Sequence, residues 1–184
     1  MDLRIQFAHL TDAMNAVGDN IVKDAKANLK SKNKVDTGTL ETSVKNTGIK
    51  FSKNSMQLNL KMSYYGAFID KGVRGVGGVR KQTSTYKRTN NKGKLWKQKG
   101  GKSPYSFKEN NKPSVKHFIE WSNRKGLSPF AVRESVFHQG IEPTHFLENA
   151  IKDNIEKIPK QITDAFALDV TNLLNTIIKA NLNK

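Results

Sequence analysis

At 184 residues and 36% hydrophobic content, below the usual ~45–50%, the chain has room for one domain with a thin core, or one domain with a sizeable insertion. The absence of cysteine excludes disulfides, thiolate metal sites and a cysteine nucleophile, and no apolar run approaches the ~20 residues of a membrane span. With 32 Lys and Arg against 16 acids, the formal charge is +16, which fits a polyanionic neighbour or a solubilising surface.

The opening Met1-Asp2-Leu3-Arg4 lacks the basic-then-apolar order of a signal peptide, so the expectation is a soluble protein of the compartment that makes it. Phe7, Leu10, Met14, Val17, Ile21, Ala25 and Leu29 recur at steps of three and four, which predicts an amphipathic helix over about 4–30. In the turn Val35–Val44, Asp36 or Thr37 can cap a short helix that sets Leu40 and Val44 on one face. Met56, Leu58, Leu60 and Met62 alternate with polar residues, as do Ile49 and Phe51 before them. This is a hairpin turning at Lys53-Asn54-Ser55. Tyr64–Asp70 reads as a short helix or bend ended by Gly72.

Residues 73–112 break the pattern. They hold twelve Lys or Arg and one acid, Glu109, so this stretch carries +11 of the total. Gly, Asn, Lys and Ser dominate it without helical or strand period, and such a composition buries too little to offset its ordering entropy. It reads as a basic insertion into a single core formed by 1–72 and 113–184. Tyr86, Trp96, Tyr105 and Phe107 stand among its cations, a composition that suits stacking on nucleic acid, docking on an acidic protein surface, or a solvated loop. The candidate contact residues are Arg80, Lys81, Tyr86, Lys87, Arg88, Lys94, Trp96, Lys97, Lys99, Lys102 and Tyr105. The expectation is an extended arm or long hairpin that leaves its own protomer for a protein neighbour or DNA.

Beyond the insertion, Ser114 after Pro113 can cap a helix with a buried stripe of Val115, Phe118 and Ile119, ended by Gly126. Ser128-Pro129 is a second start signal, with Phe130, Val132, Val136 and Phe137 as the apolar face and Gly140 as the stop. Pro143-Thr144 opens the last helix. Leu147, Ile151, Ile155, Ile158, Ile162, Phe166, Val170, Leu173 and Ile177 form its stripe, and Pro159 must kink or break it. Leu147, Ile151, Ile155 and Phe166 are the expected core contacts.

Chemistry signals are sparse. Asp36-Thr37-Gly38 is the aspartic-protease tripeptide, but those enzymes face two such carboxylates in an all-β fold, and a capping turn is the better reading. Gly100-Gly101-Lys102-Ser103 resembles the end of a phosphate loop, yet Trp96 stands where its first glycine belongs. His9, His117, His138 and His145 fall at no metal-ligand spacing. No catalytic, cofactor-binding or metal constellation emerges, so the expectation is a protein without enzymatic activity.

Three blocks in order resemble the tail-completion (tail-to-head joining, neck) family of long-tailed bacteriophages. The first is VDTGTLETSV at Val35–Val44, similar to V-x-T-G-x-L-x-x-S-[IV], and the second is SYYGAFIDKG at Ser63–Gly72. The third runs from Pro113 to Ile151 and is similar to the family's proline-led helix with I-x-x-W, with Phe118 three residues before Trp121 here, then Lys-Gly-Leu, then a helix, then a Gly-Ile-x-Pro-x-x-Phe-Leu close. Two positions depart from the family: Gly66, where alanine is usual, and His145, where proline is common before Phe146.

The resemblance implies an α+β protomer with a long N-terminal helix, a small antiparallel sheet and C-terminal helices. It implies a structural virion protein in a closed homo-oligomer, commonly a hexamer, at the neck. Its partners would be the head-completion or adaptor ring and the tail tube or tail terminator proteins. DNA would pass through the ring, with non-specific contact possible and no membrane involved. The location would be the virion neck and tail, and the host cytoplasm during assembly. The competing reading is a sequence-independent nucleic-acid-binding protein acting through the basic insertion.

Overall fold

A computed structural model describes residues 7–32, 36–53, 55–78 and 96–182. In chain order the elements are α1 (Ala8–Ser31), α2 (Thr39–Ser43), β1 (Lys45–Ser52), β2 (Ser55–Lys61), α3 (Gly66–Lys71) and β3 (Val73–Arg74). They continue with α4 (Lys116–Arg124), α5 (Pro129–Gln139), β4 (Gly140–Ile141), α6 (Phe146–Ile155) and α7 (Ile158–Leu182). The class is α+β, as the sequence indicated: a long first helix, a small antiparallel sheet and C-terminal helices. The contacts group the chain into two units, residues 1–63 with 146–184, and residues 64–145. The expected partition into one core from 1–72 and 113–184 differs from this grouping. Residues 64–72 and 113–145 fall in the same unit as the basic stretch.

In the first unit α1 buries Leu10, Val17, Ile21, Ala25 and Leu29 of the stripe that its periodicity predicts, with Val22 beside them, while Phe7 and Met14 of that stripe are half-buried. β1 and β2 pair antiparallel, with Phe51 opposite Met56 and an irregularity between Asn46 and Ile49. α1 meets this hairpin at Gly18, where an added Cβ would lie 2.8 Å from both the Asn46 amide nitrogen and a Leu58 methyl. The Asn46 amide then donates to the Asn15 carbonyl and to Asp19, which fixes the helix on the sheet. Leu40 and Val44 are buried from α2, although Gly38 rather than Asp36 or Thr37 holds its N-cap position.

α6 and α7 run back along α1. The Asn28 amide donates to the Phe146 carbonyl, and Asn154 donates to Asp24 at 2.8 Å. The Asp169 carboxylate accepts from the backbone N–H of Leu10 at 2.8 Å and of His9 at 3.1 Å. It thus serves as a cap for the first turn of α1 from another element, where α1's own N-cap residue, Phe7, offers no side-chain acceptor. α6 stops at Ile155, and Pro159 sits in the first turn of α7, where a missing N–H costs nothing.

The buried face of α6 and α7 corrects the sequence reading. Phe146, Ala150, Asn154, Ala165 and Asp169 point inward. Leu147 is half-buried, while Ile151, Ile155 and Phe166 remain 38%, 55% and 46% exposed. Small alanines allow close approach to α1, and the Asn154 and Asp169 bonds set the rotation of the helices. Of the larger apolar stripe, Ile151, Ile155, Phe166 and Ile177 are exposed and Leu147, Ile158, Ile162, Val170 and Leu173 half-buried. Ile151→Ala is therefore expected to change stability little. Ala150→Leu, at a fully buried position, is expected to cost ~1–3 kcal/mol by overpacking, as read from urea unfolding.

In the second unit, α4 and α5 form a helix pair joined through Gly126 and Leu127. Ser122 is the fully buried residue of α4, and its small side chain donates back to the Ile119 carbonyl. The expected stripe of Val115, Phe118 and Ile119 is not the buried face: Ile119 is exposed and the other two are half-buried. From α5, Phe137 is buried but Phe130 is 61% exposed beneath the Arg133 guanidinium. Ser128 and Pro129 stand at the N-cap and first position of α5 as expected.

The last helix starts at Phe146, three residues later than Pro143 suggests. The Thr144 N–H and hydroxyl donate to the Ile69 carbonyl, and the His145 N–H donates to the Asp70 carbonyl, at the end of α3. His145 adopts φ 51°, which a proline ring cannot.

Candidate partner and nucleic-acid interface

Residues 64–145 hold 17 Lys or Arg and five acids, so this unit carries +12 of the +16. Its framework is a close approach of backbone to backbone. β3 pairs antiparallel with β4, placing Val73 opposite Ile141 and Arg74 opposite Gly140. A Cβ on Gly140 would lie 2.2 Å from the Val73 carbonyl oxygen, and one on Gly75 would lie 2.3 Å from that of His138. In the run GVRGVGG at Gly72–Gly78, side chains at Gly72 and Gly75 would press on the facing backbone, while Gly77 and Gly78 adopt φ of 74° and 94°.

Residues 96–107 form a third run on this framework. The Trp96 N–H donates to Gly78, Lys99 to Gln139 and Arg74 to Tyr105, while Phe107 donates back to Arg74. Arg74 and Ser106 make a parallel bridge. The Gln98 amide reaches the Gly75 carbonyl, and the Ser103 hydroxyl reaches that of Gly72. Gly100-Gly101-Lys102-Ser103 is thus a turn, closed by Ser103 N–H on Gly100, and no helix follows it to present N–H groups to a phosphate.

The aromatic rings of this segment are spent within the unit. Trp96 stacks on His138 with centroids 5.5 Å apart and planes 1° from parallel. Tyr105 meets Phe68 edge-on at 4.7 Å, and Phe68 meets Tyr64 in the same way. Phe107 lies 5.9 Å from Phe137. For Trp96, Tyr105 and Phe107 this differs from the expectation of rings docked outside the protomer, while residues 79–95 of the expected arm lie outside the described residues. The described parts, 73–78 and 96–112, fold onto their own unit, because the glycine-rich backbone supplies hydrogen bonds that composition does not reveal. Lys97 and Lys102 are exposed on this run, and Lys99 is exposed 3.8 Å from Glu142. Arg80, Lys81, Tyr86, Lys87, Arg88 and Lys94 lie outside the described residues.

The sequence reading missed the polar cluster beside the Trp96 stack. His138 Nδ1 donates to the Gly77 carbonyl at 2.7 Å, and its Nε2 lies 3.6 Å from Glu134. Glu134 also pairs with Arg133 at 2.7 Å and with Lys112 at 2.9 Å, and Lys112 lies over the Phe137 ring. The i, i+4 spacing of Glu134 and His138 on a helix was the available signal. Burial acts to raise the Glu134 pKa, but hydrogen bonds and charge from Lys112 and Arg133 outweigh it and hold the carboxyl below its ordinary 4.5.

A depressed folded pKa means stability that is present above 4.5 and lost as pH falls through the lower folded value. Thermal unfolding of this unit, followed by Trp fluorescence, is expected to weaken across that acidic window. Glu134→Gln is expected to flatten the Glu134 part of the loss and to be less stable than the parent at neutral pH. An unchanged acid profile in Glu134→Gln would show that the cluster does not couple to folding.

Among the described residues, no group of three or more His, Asp or Glu could hold a metal ion. None of the described helices is long and apolar enough to cross a membrane. Exposed Tyr64, Trp121 and Phe130 share the surface of this unit with its exposed cations. Such a surface can attract phosphate without reading sequence. Comparison with protein-family models, curated proteins and solved structures finds no match to this chain.

Proposed function

We propose that this chain is a structural virion protein of the neck of a long-tailed phage. It forms a closed homo-oligomeric ring, of six copies as in the family it resembles, between the tail tube or tail terminator and the head-completion or adaptor ring. The observation that carries the reading is the coupling of two resemblance blocks in the fold. Ser63–Gly72 and Pro113–Ile151 are sutured by Thr144 and His145 onto the Ile69 and Asp70 carbonyls. The α+β order of elements is that implied by the resemblance. The strongly cationic unit would line or rim a channel that DNA traverses, screening the backbone without base contacts.

Deleting the gene from the virus that carries it is the test. The expected result is DNA-filled heads and finished tails that accumulate unjoined. Normal yields of joined, infectious particles would overturn the proposal.

The second reading is a sequence-independent nucleic-acid-binding protein, and the concentration of charge in residues 64–145 favours it. It predicts affinity for duplex DNA that falls with salt at a slope of about −0.9 per phosphate neutralised. It also predicts loss of that affinity when Lys97, Lys99 and Lys102 are neutralised together.

A further inference from the structure

α7 continues beyond the helix it packs on. Asp169 caps the first turn of α1, and no residue of α7 after Asp169 is buried. Asn172 still reaches His9 at 3.4 Å, and the ten residues from 173 to 182 run ~15 Å past it at 1.5 Å per residue. Leu174, Ile178 and Leu182 recur there at steps of four on one face, all more than half exposed, with Ile177 beside them. This is the i, i+4 anchor pattern of a helix that lies in an apolar groove.

The same unit carries such a groove. Phe7, Leu10, Met56 and Phe166 line a cleft of about 340 Å³, with Ser52, Lys53 and Ser55 on its lip. Phe166 is itself part of α7 and stacks on Phe7 at 5.9 Å. The tip of a continuous helix cannot return to a cleft built around its own third turn. The groove and the overhang are thus matched in character but cannot meet within one chain.

We propose that the overhanging end of α7 in one copy docks, through Leu174, Ile178 and Leu182, into the Phe7–Leu10–Met56–Phe166 groove of a second copy. Charge supports that occupant. α7 carries Lys160, Lys179, Asp164 and Asp169 and is neutral, whereas the chain as a whole is +16. Of that charge +12 lies in residues 64–145, so the unit that holds both α7 and the groove carries only +4 and offers two copies the less repulsive approach. Lys53 at the groove lip also faces the partial negative charge that a helix C-terminus brings. The contact joins two different patches, so repetition closes into a ring or extends as a filament. The inference rests on the ring reading above and names the contact by which the ring forms.

The cysteine-free sequence allows a direct test. Full-length Ser55→Cys and Ile178→Cys chains, both altered at exposed positions, are mixed and mildly oxidised. The expected product is a 55–178 linked pair, several-fold more abundant than either same-site pair. A chain carrying both cysteines should give a ladder of higher oligomers. Leu174→Asp with Ile178→Asp should abolish association of the otherwise unmodified chain in sedimentation while leaving its circular dichroism intact.

Predominance of 178–178 pairs would overturn the proposal in favour of helix-to-helix pairing. An intrachain link between Ser55→Cys and Leu3→Cys would overturn it in favour of the chain's own first residues as occupant. A discrete oligomer without the 55–178 link would overturn this contact and leave the ring reading standing. The ring reading is judged separately by the unjoined heads and tails of the gene deletion.

Discussion

Phe146→Ala is expected to cost the first unit about 3–5 kcal/mol, the range for removing a fully buried aromatic ring. Phe146 is the largest fully buried side chain among the described residues, and it opens α6 where the Asn28 amide holds its carbonyl. Truncation leaves a cavity that neither α1 nor α6 can close without breaking that bond. The measurement is urea unfolding followed by far-ultraviolet circular dichroism, since α1, α6 and α7 supply most of the helix. Both tryptophans, Trp96 and Trp121, lie in the other unit, so their fluorescence reports whether the damage stays local. A loss below about 1 kcal/mol would mean that the core is not built around this residue.

Gly140→Ala is the counterpart in the second unit. The residue sits at φ 87° and ψ −171°, a region open essentially to glycine alone. Its added methyl would also stand 2.2 Å from the Val73 carbonyl and 2.5 Å from the Gly75 nitrogen. Both neighbours are backbone, so no rotamer change relieves the clash. Conformational strain and overpacking together set an expected cost of roughly 2–6 kcal/mol. The Trp96 stack on His138 lies on the same framework, so a red-shifted Trp emission at lower denaturant is the expected signature. Wild-type fluorescence unfolding in Gly140→Ala would show that β3 and β4 do not pair as described.

The fold was legible where hydrophobic period and burial coincide. α1 buries the residues its spacing marks, and β1 and β2 alternate as read, because one element packs on one face of each. The stripe on α6 and α7 was read as core, but none of it is fully buried and four of its residues are exposed. Periodicity identifies an amphipathic face and does not say whether the same chain covers it. Here Asn154 and Asp169, polar and therefore discounted, fix the rotation through Asp24 and the α1 N-terminus. β3 and β4 are two residues each and show no period at all.

The candidate interface was legible in charge and not in structure. Twelve cations in forty residues are visible from composition, and the exposed Lys97, Lys99 and Lys102 agree with that reading. The packing of Trp96, Tyr105 and Phe107 was hidden. It depends on main-chain bonds to Gly78 and Arg74, and on the Gln98 amide to the Gly75 carbonyl, that residue types do not announce. The departing arm was inferred from four rings poorly placed in solvent, and the structure gives three of them, Trp96, Tyr105 and Phe107, partners in their own unit.

Electron microscopy of purified virions carrying a label at residue 184 tests the central claim most directly. The neck reading predicts label around the tail axis at the head–tail junction, in several copies and with sixfold order. Virions without the label, or with a single copy off the axis, would contradict it.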